Sequence, residues 1–247
     1  MRRIGTFVTL AVLLAAPGAV ADEAAPEQTR VEVPEPVAFV TEHTGTFNGA
    51  EVGYVARAGE TYLLDDAGEP KASIFSFAYT KNGAGDPAER PVMFLWNGGP
   101  GSASLWLHMG AFGPKRVVVP SDAASAGAPP WPLVDSSLTL LDVTDLVFVD
   151  PVGTGFSRPL GGHEGAEFWG LDEDAASVAE FIRQWLSDNG RWSSPKLIAG
   201  ESFGTVRAAA VAHLLEKRLG IRLNGVVLIA QALDYQGSTP VDDNLVA

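Results

Sequence analysis

The chain has 247 residues, 46% of them hydrophobic and 19% charged, and a formal net charge of −13. That composition supports a sizeable globular core, and the negative charge argues against a nucleic-acid partner, whose phosphates it would repel. There is no cysteine, which excludes disulfides, thiol catalysis and zinc–thiolate sites.

Residues 1–21 read as a secretory signal. Arg2 and Arg3 precede an apolar run, Pro17-Gly18 breaks it, and Ala19-Val20-Ala21 offers a small-x-small cleavage site before Asp22. The alternative is a membrane anchor, for which the run is short. The expectation is therefore an exported protein, periplasmic or extracellular, with no stable membrane insertion after cleavage. Residues 22–44, rich in Ala, Glu and Pro at the start, are predicted to be a flexible or extended lead-in.

A single domain is predicted over 45–247. Residues 45–81 look like antiparallel strands around the turn Asp65-Asp66-Ala67-Gly68. The pattern then changes to nearly continuous apolar runs at 91–96, 146–149, 197–199 and 226–230. Runs without polar alternation suit strands covered on both faces, as in a parallel sheet. Helical patterns separate the later ones, at 172–186 and 204–219, the second stopping at Gly220. Strand and helix in alternation predict a mostly parallel, doubly wound α/β sheet with antiparallel strands at its N-terminal side. The Ala, Gly, Ser and Pro-rich stretch 121–131 is predicted as a surface loop. No closing helix follows the last strand, and the chain is expected to be incomplete at its C-terminus.

Two motifs carry chemistry. Gly200-Glu201-Ser202-Phe203-Gly204 lies between a strand and a helix, the context of a nucleophile elbow, where a sharp turn exposes a serine hydroxyl to a base. The less favoured alternative is a glycine turn with Ser202 capping the helix. Asn97-Gly98-Gly99-Pro100-Gly101 follows the first apolar strand and would bare backbone N–H groups toward a tetrahedral oxyanion. In an α/β hydrolase the two donors would be the amides of Gly99 and Phe203.

With a third stretch, Asp150-Pro151-Val152-Gly153-Thr154-Gly155-Phe156-Ser157, these motifs resemble the serine carboxypeptidase family over about residues 50–247. The resemblance implies an α/β-hydrolase fold, a peptide substrate and release of single C-terminal residues through an acyl-enzyme on Ser202. It also implies that Asn97, Gly98 and Glu201 bind the substrate's terminal carboxylate. The family's Asp and His of the triad would lie beyond Ala247, so this chain alone is expected to be inactive. His213 sits eleven residues past Ser202 on one helix, roughly 16 Å away along its axis. His213 therefore cannot be the base; His108 and His163 could approach the site, His43 lies in the N-terminal extended region, and Asp234, after a sheet strand, reads as a loop-starting residue. The sequence departs from the family where Ala111 precedes Phe112-Gly113-Pro114 in place of an acid, which keeps an esterase or acyltransferase open. A non-catalytic truncated hydrolase is the remaining alternative. No cofactor or metal motif is present, and nothing in the sequence speaks to oligomeric state.

Overall fold

The computed structural model describes residues 33–120, 122 and 124–232. The signal at 1–21 and Asp234 lie outside the described residues. The strands are β1 (Ala38–Phe47), β2 (Ala50–Leu64), β3 (Pro70–Lys81), β4 (Val92–Trp96), β5 (Lys115–Val117), β6 (Leu133–Asp135), β7 (Asp145–Val149), β8 (Arg158–Pro159), β9 (Lys196–Glu201) and β10 (Gly225–Ile229). The α-helices are α1 (Leu105–Leu107), which runs into a π-helical turn at His108–Phe112, α2 (Leu171–Asp188) and α3 (Phe203–Lys217).

One mixed sheet has the order β1-β2-β3-β7-β4-β9-β10, with β8 beside β3. β1, β2, β3 and β7 pair antiparallel in succession, while β7, β4, β9 and β10 are mutually parallel. Every residue of β4 and β7 is buried, which is why their apolar runs lack alternation. β1 starts at Ala38, inside the stretch read from sequence as a lead-in. Its side chains are exposed through Thr44, so it is held by backbone pairing to β2 and has no hydrophobic period to betray it. The 121–131 stretch lies between the two strands of a small hairpin, β5 and β6.

The parallel part explains where a site can form. From β4 the chain steps one way to β7, then back past β4 to β9 and on to β10. Right-handed crossovers in opposite directions fall on opposite faces. Accordingly α2 and α3 pack on one face with Phe94, Trp96, Val147 and Ile198, whereas Leu107 packs on the other with Met93, Leu95 and Phe148. The connections leaving β4 and β9 thus diverge at the strands' carboxyl ends. Such a switch point leaves a crevice, the usual ligand position in open α/β sheets.

At the far end of β7, Asp145 gathers the structure. It accepts from Arg90 Nε (2.8 Å), Arg191 Nη1 (2.5 Å) and the Lys81 amide (3.0 Å), all at buried or half-buried positions. α2 carries Asp172, Glu173 and Asp174 in its first turn, where negative charge meets the positive end of the helix. β10 has a paired neighbour on one side among the described residues, and Val226, Val227 and Leu228 on it are exposed.

Candidate active site

Trp96 pairs in register with Gly200, so Asn97 and Glu201 leave adjacent parallel strands side by side. Ser202 follows at φ 56°, ψ −124°. A non-glycine residue there carries strain of order 1–3 kcal/mol. Its amide donates to Ile229 O (2.9 Å) and its carbonyl accepts from Thr205 N and Oγ1 (2.9 and 2.7 Å). Its hydroxyl makes no capping hydrogen bond, although Ser202 stands at the N-cap position of α3. The helix-cap alternative therefore has no support: the backbone is strained and the hydroxyl caps no backbone amide among the described residues.

The glycines of the motif serve close approach. A Cβ on Gly200 would overlap Gly204 O, and one on Gly204 would sit 2.9 Å from Trp96 Cδ1. The positive φ belongs to the serine alone within this motif. Trp96 faces α3 and donates from Nε1 to Gly204 O (2.9 Å), seating the helix start on β4. Leu95, its neighbour, points to the opposite face.

Gly98 brings the glycine loop to the elbow. A Cβ there would overlap the Phe203 amide nitrogen and lie 2.7 Å from both Glu201 O and Gly204 N. Gly98 is buried, while Gly99 and Pro100 are exposed at the mouth. Gly99 has φ 104°, and Ser102 N donates back to Gly98 O (3.1 Å) to close the turn.

Asn97 is fully buried, and its side-chain amide and its carbonyl are engaged. Nδ2 donates to Glu201 Oε2 (3.0 Å), Oδ1 accepts from Leu107 N (3.1 Å), and the carbonyl accepts from Arg207 Nη1 (2.9 Å). The far end of the loop is held by Asp150, whose Oδ1 accepts from Ser104 N and Oγ, both at 2.8 Å. Burial raises the Asp150 carboxyl above its ordinary range, and the two Ser104 bonds pull it back. Asp150 in turn belongs to the Gly-Phe-Ser stretch, which Ser157 ties to β3. Its Oγ donates to Asp150 O (2.6 Å) and accepts from Phe75 N (2.7 Å).

A cavity of about 350 Å³ opens beside the elbow between Pro100, Phe203, Val152 and Trp169, with Arg207 and Asp174 in its lining. A larger one, about 510 Å³, lies between β2, α2 and the end of α3 and touches none of these residues. The smaller cavity is lined by Phe203, the residue after the strained serine, and not by Ser202 itself. Arg207 and Asp174 were not singled out from sequence, because neither lies in a motif and their contact spans two helices.

None of the four histidines engages Ser202. His43 bonds Thr41 on β1, His163 bonds Glu167, and His213 is exposed on α3. His108 is buried, bonded to Tyr79 Oη (2.6 Å) and stacked on Phe148, and burial lowers its pKa to about 4. Among the described residues no group of three His, Cys, Asp or Glu side chains is placed to hold a metal, and no helix is long and apolar enough to cross a membrane.

Comparison with known proteins identifies the family of the chain. The serine carboxypeptidase family profile matches residues 51–240. Serine carboxypeptidase-like 5 of Arabidopsis thaliana is 28% identical over 179 residues, covering 66% of this chain and 39% of that protein. Serine carboxypeptidase-like 15 of the same plant is 29% identical over 144 residues, covering 56% and 31%. The crystal structure of Kex1(delta)p, a prohormone-processing carboxypeptidase from Saccharomyces cerevisiae, superposes with a TM-score of 0.52 at 21% identity, covering 70% of this chain and 38% of that one. This last likeness is one of fold. The chain spans about two fifths of the length of the first of these relatives.

Proposed function

Because the chain belongs to the serine carboxypeptidase family, we propose that it supplies the nucleophile half of an exopeptidase site. Ser202 Oγ attacks the carbonyl carbon of the last peptide bond, and its proton passes to a histidine base outside the described residues. The amides of Gly99 and Phe203 receive the oxyanion. The C–N bond then breaks, the base returns the proton to the departing amine, and water cleaves the acyl-enzyme. The observation that carries this reading is the strained, uncapped Ser202 at the end of β9, with Gly98 packed against the Phe203 amide.

Recognition of the substrate's terminal carboxylate falls to Glu201. Asn97, being buried, contributes by holding Glu201 Oε2, and Gly98 by giving the room that lets the two strand ends meet. Two facing carboxylates are accommodated when one proton lies between them. Peptidase activity is therefore expected to be higher at acidic than at alkaline pH, and Glu201→Gln to flatten that dependence. A serine esterase or acyltransferase is the second reading. It is favoured by Ala111, which occupies the turn after α1 where an acid would complete a carboxylate site. The protein acts outside the cytoplasm if residues 1–21 are its export signal.

The test compares peptides with a free and an amidated C-terminus, using the full-length protein and Ser202→Ala. Hydrolysis of free peptides alone, lost in Ser202→Ala, is the expected result. Equal hydrolysis of amidated peptides would remove the exopeptidase reading, and activity surviving in Ser202→Ala would remove the nucleophile.

A further inference from the structure

Arg207 lies five positions after Ser202 in α3, and helix side chains lean back toward the N-terminus. Its guanidinium therefore runs alongside the first turn, where it meets both halves of the site. Nη1 donates to Asn97 O (2.9 Å) at the root of the glycine loop, and the guanidinium carbon stands 5.5 Å from the centre of the Phe203 ring. Nε donates to Asp174 Oδ2 (2.6 Å) on α2, and both partners are buried. One side chain thus joins the loop that would carry the Gly99 donor, the residue that would carry the Phe203 donor, and a second helix that fixes where the guanidinium sits.

We propose that Arg207, anchored by Asp174, is a positioning residue that sets the glycine loop against the elbow so that the two amide donors converge. The idea rests on the Ser202 reading above. Its physical basis is that Asn97 lies just past the last paired residue of β4, and a charged fork fixes its carbonyl more tightly than a neutral donor would. Buried ion pairs contribute little to stability, since desolvation offsets the attraction, and well-packed apolar replacements often fold as well or better. A purely structural Arg207–Asp174 pair would therefore be replaceable by apolar side chains without consequence. A positioning pair would not be, because a shift of about 1 Å in a preorganised donor costs on the order of 100-fold in rate.

The experiment uses the full-length protein as wild type, Arg207→Met/Asp174→Leu, Arg207→Lys and Ser202→Ala. It reads three quantities: melting temperature, the kcat and KM for a free-acid peptide, and amide hydrogen exchange over residues 97–104. In the apolar double variant the melting temperature is expected to hold or rise. Its kcat is expected to fall on the order of 100-fold with KM within a few-fold, and exchange in the loop to accelerate while β4 stays protected. Arg207→Lys, which keeps the charge and one donor, is expected to recover most of kcat. An unchanged kcat in a folded double variant overturns the proposal, as does unchanged exchange in the loop. A kcat loss in Arg207→Lys that merely follows a loss of folded protein also overturns it. If wild type shows no activity that Ser202→Ala abolishes, the nucleophile reading fails by itself. The exchange measurement still decides then whether Arg207 holds the loop.

Discussion

Ser202 holds a backbone conformation that a glycine would adopt with less strain, and its hydroxyl makes no capping hydrogen bond. Ser202→Gly is expected to stabilise the fold by about 1 kcal/mol while removing activity, measured by urea unfolding. A loss of stability would mean that the hydroxyl has a structural partner after all. Gly98 makes the opposite case, since added bulk there meets backbone atoms of the elbow that cannot swing aside. Gly98→Ala is expected to cost roughly 1–3 kcal/mol and to abolish reaction at Ser202. A variant of normal stability and rate would show that the loop and the elbow are further apart than described.

At the scale of elements, the site depends on β4, β7 and β9 staying in register, and Asp145 is the buried carboxylate at their amino ends that Arg90 and Arg191 share. Asp145→Ala leaves two guanidinium groups buried without their counter-ion and is expected to cost roughly 3–5 kcal/mol, read from denaturation midpoints. A loss below about 1 kcal/mol would place it with ordinary surface pairs. The parallel strands, α2 and α3 were legible in the sequence because burial on both faces and a 3.6-residue period leave strong patterns. The elbow and glycine loop were legible because close backbone approach demands glycine at fixed positions. β1 was not, since its exposed side chains leave only backbone pairing. Nor were the contacts of Arg207 with Asp174 and Asn97, or of Asp150 with Ser104. These join residues 33, 110 and 46 positions apart, and no local spacing encodes them.

The molecule as a whole is expected to be acid-sensitive through His108. The unfolded chain takes up a proton there below about pH 6.5, whereas the buried imidazole stays neutral to about pH 4. Stability is therefore lost as pH falls through that window, by about 2 kcal/mol between pH 7 and 5. Asp150 and Asp174, both raised by burial, act in the opposite direction, each favouring the fold as it gains a proton. Unfolding midpoints at the two pH values separate these contributions: His108→Gln, which can still bond Tyr79, is expected to lose less stability on acidification than wild type. An equal loss would assign the acid sensitivity to other groups.

Activation of Ser202 at the switch point of the sheet is the property on which the proposed chemistry depends. Treating the full-length protein with a fluorophosphonate and mapping the adduct by mass spectrometry addresses it directly. The account predicts a single phosphonylated residue, Ser202, and no labelling in Ser202→Ala. A protein that is folded yet unlabelled, or labelled at a different serine, would contradict it.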